Sequence, residues 1–484
     1  MPTINENLQR LQTCKSNISS AITTKGGTVS SGDGFEEFPA DIATIPTMKS
    51  IYAFLYVTAN SGALVEVSKD GTAFTETSSG TELLFEIPES GTWNVSVSKT
   101  GETAITDSVV INEQKEYYLN MPFVHVYGIV WDKTSTTTWS NPQLTRTDES
   151  AGFSDPNPYY SGMSGDPSSP FDNLMPWSGM VQETIDGNAL VKIPKFWYKI
   201  TNDSNQLKIQ ISDKAQDGFK VSPAHQARYS GDTERDYVYI GRYKCITDTS
   251  DTSNNYKSQS GKSPKVSITR ATARTSIAGL GTGYYQQDFA TFWTIRLLYL
   301  VEFANWNSQA VIGYGCGNNS SVQTTGFSDS MPYHTGTMQS SRTTYGVGCQ
   351  YRWIEDLWGN VYEWVDGIYF SSSNVYIITN PSSFSDSSDG TLVGTRATSS
   401  NEIKDFFAPS EATLDWAMYP NMVVSDSNYS TYVCDHCSYS SSGVVLFVGG
   451  YCSQYQGYGL FYVNGYNNAS YSYSHIGARL LLLP

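Results

Sequence analysis

The first pattern along the chain is helical. Ile4, Leu8, Leu11, Lys15, Ile18 and Ile22 recur in alternating steps of four and three, a heptad seam with Lys15 as its polar member. Lys25-Gly26-Gly27 closes it. A lone helix of about three heptads predicts burial of its stripe against copies of itself or another protein. Residues 1–46 therefore read as an attachment or oligomerisation helix with a tether. From residue 51 the period changes to two. Apolar runs at 51–57, 63–67, 83–87, 93–97, 105–111 and 117–119 are separated by Ser61-Gly62, Asp70-Gly71, Ser79-Gly80, Ser90-Gly91 and Thr100-Gly101. This alternation and turn spacing predict a small Ig-like β-sandwich over 47–122, acting as a spacer. Residues 123–484 read as one large, loop-rich domain with one strong helix over 289–308, striped by Phe292, Ile295, Tyr299, Phe303 and Trp306. The chain as a whole is expected to be α+β.

Charge narrows the function. The 484 residues carry 30 Lys and Arg against 46 Asp and Glu, a net charge of −16. That argues against a nucleic-acid binder, which needs a basic patch. Only 16% of residues are charged, so the polar surface must come from Ser, Thr, Asn, Gly and Tyr. The 34 Tyr, 20 Phe and 11 Trp supply apolar mass for sizeable cores and exclude a disordered chain. No run approaches the roughly 20 apolar residues of a bilayer span, so no membrane insertion is expected. Residues 1–11 are polar, with no signal-peptide pattern. The seven cysteines are an odd number and read as free thiols. The composition is extracellular in style without an export address. A virus particle reconciles the two, because its proteins fold in the host cytoplasm and work outside.

Catalytic motifs are weak. Gly261-Lys262-Ser263 matches the end of a phosphate-binding loop, but Tyr256 stands where its first Gly belongs. Cys434-Asp435-His436-Cys437 has metal-ligand spacing, yet only Cys452 and His475 follow it, not a second ligand pair. No catalytic residue, metal or cofactor is expected. The informative stretch is 430–484. Its 55 residues hold two formal charges, Asp435 and Arg479, and nine Tyr, nine Ser, seven Gly and three Asn. Tyr gives large contact area at low entropic cost, and Ser, Gly and Asn give adaptable polar contacts, the composition of antibody combining sites. Tyr471, Tyr473 and His475 alternate with Ser472 and Ser474, which on extended backbone would place the three rings on one face.

Two motifs carry a resemblance. Trp358-Gly359-Asn360-Val361-Tyr362-Glu363-Trp364-Val365 resembles the signature of C-type lectin domains of the formylglycine-generating-enzyme type. The ending Gly449-Gly450, Gly459-Leu460-Phe461 and Ile476-Gly477-Ala478-Arg479-Leu480 resembles the variable region of diversity-generating retroelement proteins, which display hypervariable residues on that lectin fold. The resemblance covers roughly residues 285–484. Phe171-Asp172-Asn173, Pro176-Trp177 and Ile193-Pro194-Lys195-Phe196-Trp197-Tyr198 resemble phage tail domains, as does Phe38-Pro39-Ala40-Asp41-Ile42 more weakly. The chain departs from the enzymes, because Gly477-Ala478-Arg479-Leu480 lacks their terminal Cys, and from calcium-dependent lectins, because it has neither Glu-Pro-Asn nor Gln-Pro-Asp.

The resemblance implies a phage receptor-binding or tail-tip protein in the virion. Its lectin-fold domain would span 123–484, with a phage-tail-like portion at 123–284 and a variable region at 449–479. Its partners would be a host bacterial surface receptor, protein or glycan, and tail or baseplate components, and tail-fibre symmetry implies a homotrimer through residues 4–22. A formylglycine-generating-type oxidase and a bacterial surface-displayed variable protein stay open as alternatives. The expected ligand-binding residues are Tyr451, Ser453, Tyr455, Tyr458, Tyr466, Tyr471, Tyr473 and His475, exposed and clustered. Leu460, Phe461, Val463, Ile476 and Leu480 are expected in the core, and Trp358, Asn360, Trp364, Gly477 and Arg479 in the scaffold.

Overall fold

The computed structural model describes residues 4–43, 51–134, 144–247, 255–424 and 433–484, apart from 26, 31, 33, 34, 101, 103 and 122. Strand accounts for 35% and helix for 15%, in agreement with a mixed, strand-rich class. The chain divides into two compact units, Met1–Phe123 and Val124–Pro484. The boundary expected at 46–47, residue 122 at the next one, and Gly101 of one turn signal lie outside the described residues. Among the described residues, no helix is long and apolar enough to cross a membrane.

In the first unit the heptad-spaced segment forms the helix Ile4–Thr24. Leu8 and Leu11 are 53% and 55% exposed, whereas Ile18 is half-buried and Ile22 buried. Among the described residues, seven strands follow in two sheets. Glu82–Ile87, Ala53–Thr58 and Glu116–Asn120 form one. Thr72–Thr77, Leu64–Lys69, Gly91–Ser98 and Ile105–Ile111 form the other. Successive strand side chains point to opposite faces, so Leu55 and Val57 of one sheet and Val65, Val67, Trp93 and Val95 of the other share one core. Asp70-Gly71 is a two-residue hairpin turn with both φ positive, 48° and 88°.

The second unit is built around a helix, Phe289–Phe303, whose fifteen residues are all buried. Asp288 caps its start by accepting the Thr291 N–H. Two expectations are corrected here. The helix is buried on every side rather than along one stripe, because it runs through the interior. It also stops at Phe303 instead of 308, since Ala304 takes the left-handed conformation (φ 48°), and Trp306 is buried beyond the helix end. A separate turn, Ser308–Val311, follows. The sequence pattern does not announce the helix Arg270–Ala278, because its buried stripe begins with an arginine, paired with Asp386 at 2.7 Å.

Several sheets surround this interior. The largest has seven strands in the order Pro420–Val424, Asn401–Phe406, His436–Tyr439, Val463–Gly465, Leu446–Val448, Tyr362–Val365, Ile476–Gly477. Of the four buried leucines at 480–483, three form a terminal strand, Leu480–Leu482, between Tyr237–Gly241 and Tyr284–Gln286 in a five-stranded sheet.

Candidate functional site

The candidate face grows from the motif strand Tyr362–Val365. It pairs antiparallel with Leu446–Val448 and parallel with Ile476–Gly477. The Tyr/Ser-rich segment 449–475 thus leaves from one neighbour of the motif strand and returns through the other. Beneath it lies a buried charge cluster. Glu363 stands 2.7 Å from Lys244 Nζ and 2.6 Å from Arg479 Nη2. Arg479 also donates to the carbonyls of Gly241, Arg242, Glu355 and Asp356. Burial works against charge on Glu363, but Arg479 and Lys244 outweigh it and hold the carboxyl below its ordinary range. Trp358 and Trp364 are buried with their indole N–H groups on the carbonyls of Gly313 and Ile268. Asn360, at φ 64°, accepts the Cys452 N–H on its carbonyl, and Gly359 donates to Gly449. Gly477 is buried as well, so all five expected scaffold residues sit in the interior.

The middle of the segment is pinned from below. The Asp435 carboxylate accepts the Gly459 and Phe461 N–H groups at 2.7 and 2.8 Å. Ser308 Oγ accepts the Leu460 N–H, and Gln309 Oε1 accepts that of Gly457. Leu460, Phe461, Val463, Ile476 and Leu480 are buried, as expected. Burial pushes Asp435 up to about 7 against those two N–H bonds and Arg296.

The eight expected contact residues divide. Ser453, Tyr455, Tyr466 and Tyr473 are exposed, the tyrosines at 55%, 53% and 40%. Tyr451, Tyr458, Tyr471 and His475 are half-buried, which corrects the expectation that all eight face solvent. The three tyrosines among them lean on a core that includes Tyr362, Phe447 and Tyr462, so their rings serve packing as well as surface. One cluster joins Tyr451, Tyr471, Tyr473 and His475: Tyr451–His475 is 4.7 Å between centroids, Tyr473–His475 5.1 Å, Tyr451–Tyr473 6.3 Å and Tyr471–Tyr473 6.3 Å. Tyr458 packs on Tyr462 at 4.7 Å and stacks with His436. Tyr455 turns toward Tyr345 instead. Tyr466 makes none of these ring contacts. The single cluster expected of all eight is therefore not formed.

Residues 471–475 are loop and turn, not the extended run their alternation suggested, because strand pairing begins only at Ile476. Ring packing, not the pleat, brings Tyr471, Tyr473 and His475 together. Sequence reasoning missed Tyr362, Tyr462 and His436 as the layer under the face. Tyr462 lies in the run Leu460-Phe461-Tyr462-Val463, and a Tyr inside an apolar run was the available signal.

No family model matches this chain, and no curated protein matches it. Among solved structures it is similar to a chain described as "Major Tropism Determinant P3c Variant", at 9% identity and a TM-score of 0.23 over 81% of each chain. A likeness that faint leaves the face to be read from its own residues.

Those residues make an electrically neutral surface. Residues 449–478 contain no Asp, Glu, Lys or Arg. Burial lowers both His475 and His436, so both imidazoles are neutral near pH 7. Burial also raises the Tyr451 hydroxyl and lifts Tyr462 to about 12, so these hydroxyls stay protonated and can donate. Among the described residues, no trio of His, Cys, Asp and Glu is placed to hold a metal.

Proposed function

We propose that this chain is a receptor-binding protein of the phage tail-tip type, belonging to the retroelement-diversified variable proteins. In this reading residues 123–484 carry a C-type lectin-fold display domain, and its function is recognition without catalysis. One observation carries the reading: an uncharged, Tyr- and Ser-rich segment hangs by both ends from a motif strand whose own charges are buried and paired. Aromatic rings held on a rigid base lose little entropy on binding and can dominate the binding energy. The partner is a host bacterial surface molecule, and the tail or baseplate holds the other end of the chain. The exposed Leu8 and Leu11 on the helix Ile4–Thr24 support a homotrimer through that helix. The oxidase alternative requires a reactive thiolate pair. Burial raises Cys434, Cys437 and Cys452, which disfavours thiolates at neutral pH.

The test is adsorption of the purified full chain to a panel of intact bacterial strains. At least one strain should bind it, and replacing Tyr455, Tyr466 and Tyr473 together by Ser should abolish that binding while the melting temperature holds. Binding that survives the triple replacement would sink the reading. Light scattering should report a trimer, and deletion of residues 1–27 should release monomers.

A further inference from the structure

The contact face does not end with residues 449–475. A second part of the chain, residues 314–321 with Tyr345, reaches it from elsewhere in the sequence. Residues 304–328 also lack any formal charge, and they contain Tyr314 and the run Asn318-Asn319-Ser320-Ser321. That composition matches the Tyr/Ser segment, although it lies more than a hundred residues away.

The two segments touch backbone to backbone. Asn318 N–H donates to the Gln454 carbonyl at 2.9 Å, and Asn319 N–H to that of Cys452 at 2.5 Å. Ser453 Oγ donates to the Asn319 carbonyl. The approach is so close that a Cβ at Gly317 would stand 2.5 Å from the Gln454 carbonyl oxygen. Gln309, itself buried, locks the joint. Its Nε2 donates to the carbonyls of both Tyr314 and Tyr455, while its Oε1 accepts from Gly457. Above this joint three rings meet. Tyr314 and Tyr345 are 4.4 Å apart between centroids, and Tyr455 meets Tyr345 edge-on at 6.1 Å. Gln456 Nε2 donates to Tyr314 Oη at 2.9 Å. Tyr314 and Tyr345 are half-buried, and Asn318, Ser320 and Ser321 are exposed.

We propose that residues 314–321 together with Tyr345 form a second wall of the ligand-contact face, with Tyr314 and Tyr345 as its aromatic contacts and Tyr455 as the link between the walls. The proposal rests on the binding function stated above and extends it. Because this wall lies outside 449–479, every sequence variant of that region would present it unchanged. One part of each partner would then be read by constant rings and another by changeable ones. The wall suits a neutral patch of hydroxyl, amide and C–H groups, on which rings stack and Asn and Ser bond.

The probe is a bacterial strain to which the full chain adsorbs. Tyr345→Ser and Tyr314→Ser should each weaken adsorption at least tenfold in protein that still melts cooperatively, and Tyr345→Phe should keep most of it. Hydroxyl-radical footprinting of the wild type should show the peptides holding Tyr314 and Tyr345 protected on cells. This readout also decides the matter if a Ser variant does not fold. Loss of adsorption in Tyr473→Ser, with Tyr345→Ser within twofold of wild type and no protection at Tyr345, overturns the second wall and leaves the binding function standing. A wild type that adsorbs to no strain in the panel overturns both.

Discussion

The motif strand Tyr362–Val365 and the segment 449–475 lie side by side and are both rich in aromatic residues, yet they handle polarity in opposite ways. The strand buries a carboxylate, and Lys244 and Arg479 meet it with direct ion pairs. The segment carries no formal charge and turns hydroxyl-bearing rings outward. A buried charge must be satisfied completely, so its geometry is unique, and that uniqueness fixes the strand. An exposed Tyr or Ser can meet water when nothing else is present, so it constrains little. The two ends of the segment inherit rigidity from the strand, and its middle takes rigidity from Asp435, Ser308 and Gln309. Side chains on the face can change while the base that holds them does not.

The contrast can be broken hardest at Arg479. Arg479→Ala leaves Glu363 buried beside a single cation and takes a donor from four carbonyls, so it should cost about 3–5 kcal/mol or prevent folding. Thermal melting checks the variant. Arg479→Ala with Glu363→Ala and Lys244→Ala should be less unstable per residue lost than the single change, since no charge is then stranded.

Acid should also strike the scaffold. His225 is wholly buried, accepting from Ser222 Oγ on Nδ1 and donating from Nε2 to the Ile193 carbonyl. Burial lowers it to about 3. The neutral imidazole is the one the fold requires, so this stabilisation is complete above the unfolded value near 6.5. It falls away as pH drops from there toward 3, by at most about 1.4 kcal/mol per pH unit. Denaturant midpoints measured across that window should show the slope, and His225→Gln should flatten it.

Within the face itself the effects should grade with burial. Tyr451→Ser removes a half-buried ring packed on Tyr362 and His475, and should cost about 1–3 kcal/mol. Tyr455→Ser, Tyr466→Ser and Tyr473→Ser should each stay within about 0.5 kcal/mol of wild type. Equal destabilisation by all four would erase the distinction between packed and displayed rings. The smallest effect expected is that of salt: raising it tenfold should change the rate of release from the ligand by less than threefold, because the face bears no charge to screen. Surface plasmon resonance on immobilised cell envelopes would measure it.

Local chemistry settled much of this protein before any packing was considered. The heptad seam is a helix, the alternating runs of the first unit are strands around a shared core, and Asp70-Gly71 turns where its backbone freedom allows. Leu460, Phe461 and Val463 are buried because apolar side chains leave water wherever the chain permits. Periodicity failed where the third dimension supplied the neighbours. The helix Phe289–Phe303 shows no stripe because it is surrounded, and Arg270 begins a buried stripe only because Asp386 is there to pair with it. The ladder of Tyr471, Tyr473 and His475 looked like a strand, but a strand exists only where a partner strand pairs with it in register, and that pairing begins at Ile476. Composition alone marked 449–475 as a surface suited to contact. That Tyr314 and Tyr345 stand beside it was decided by the tertiary structure, since only folding brings Gln309 between two carbonyls so far apart in sequence.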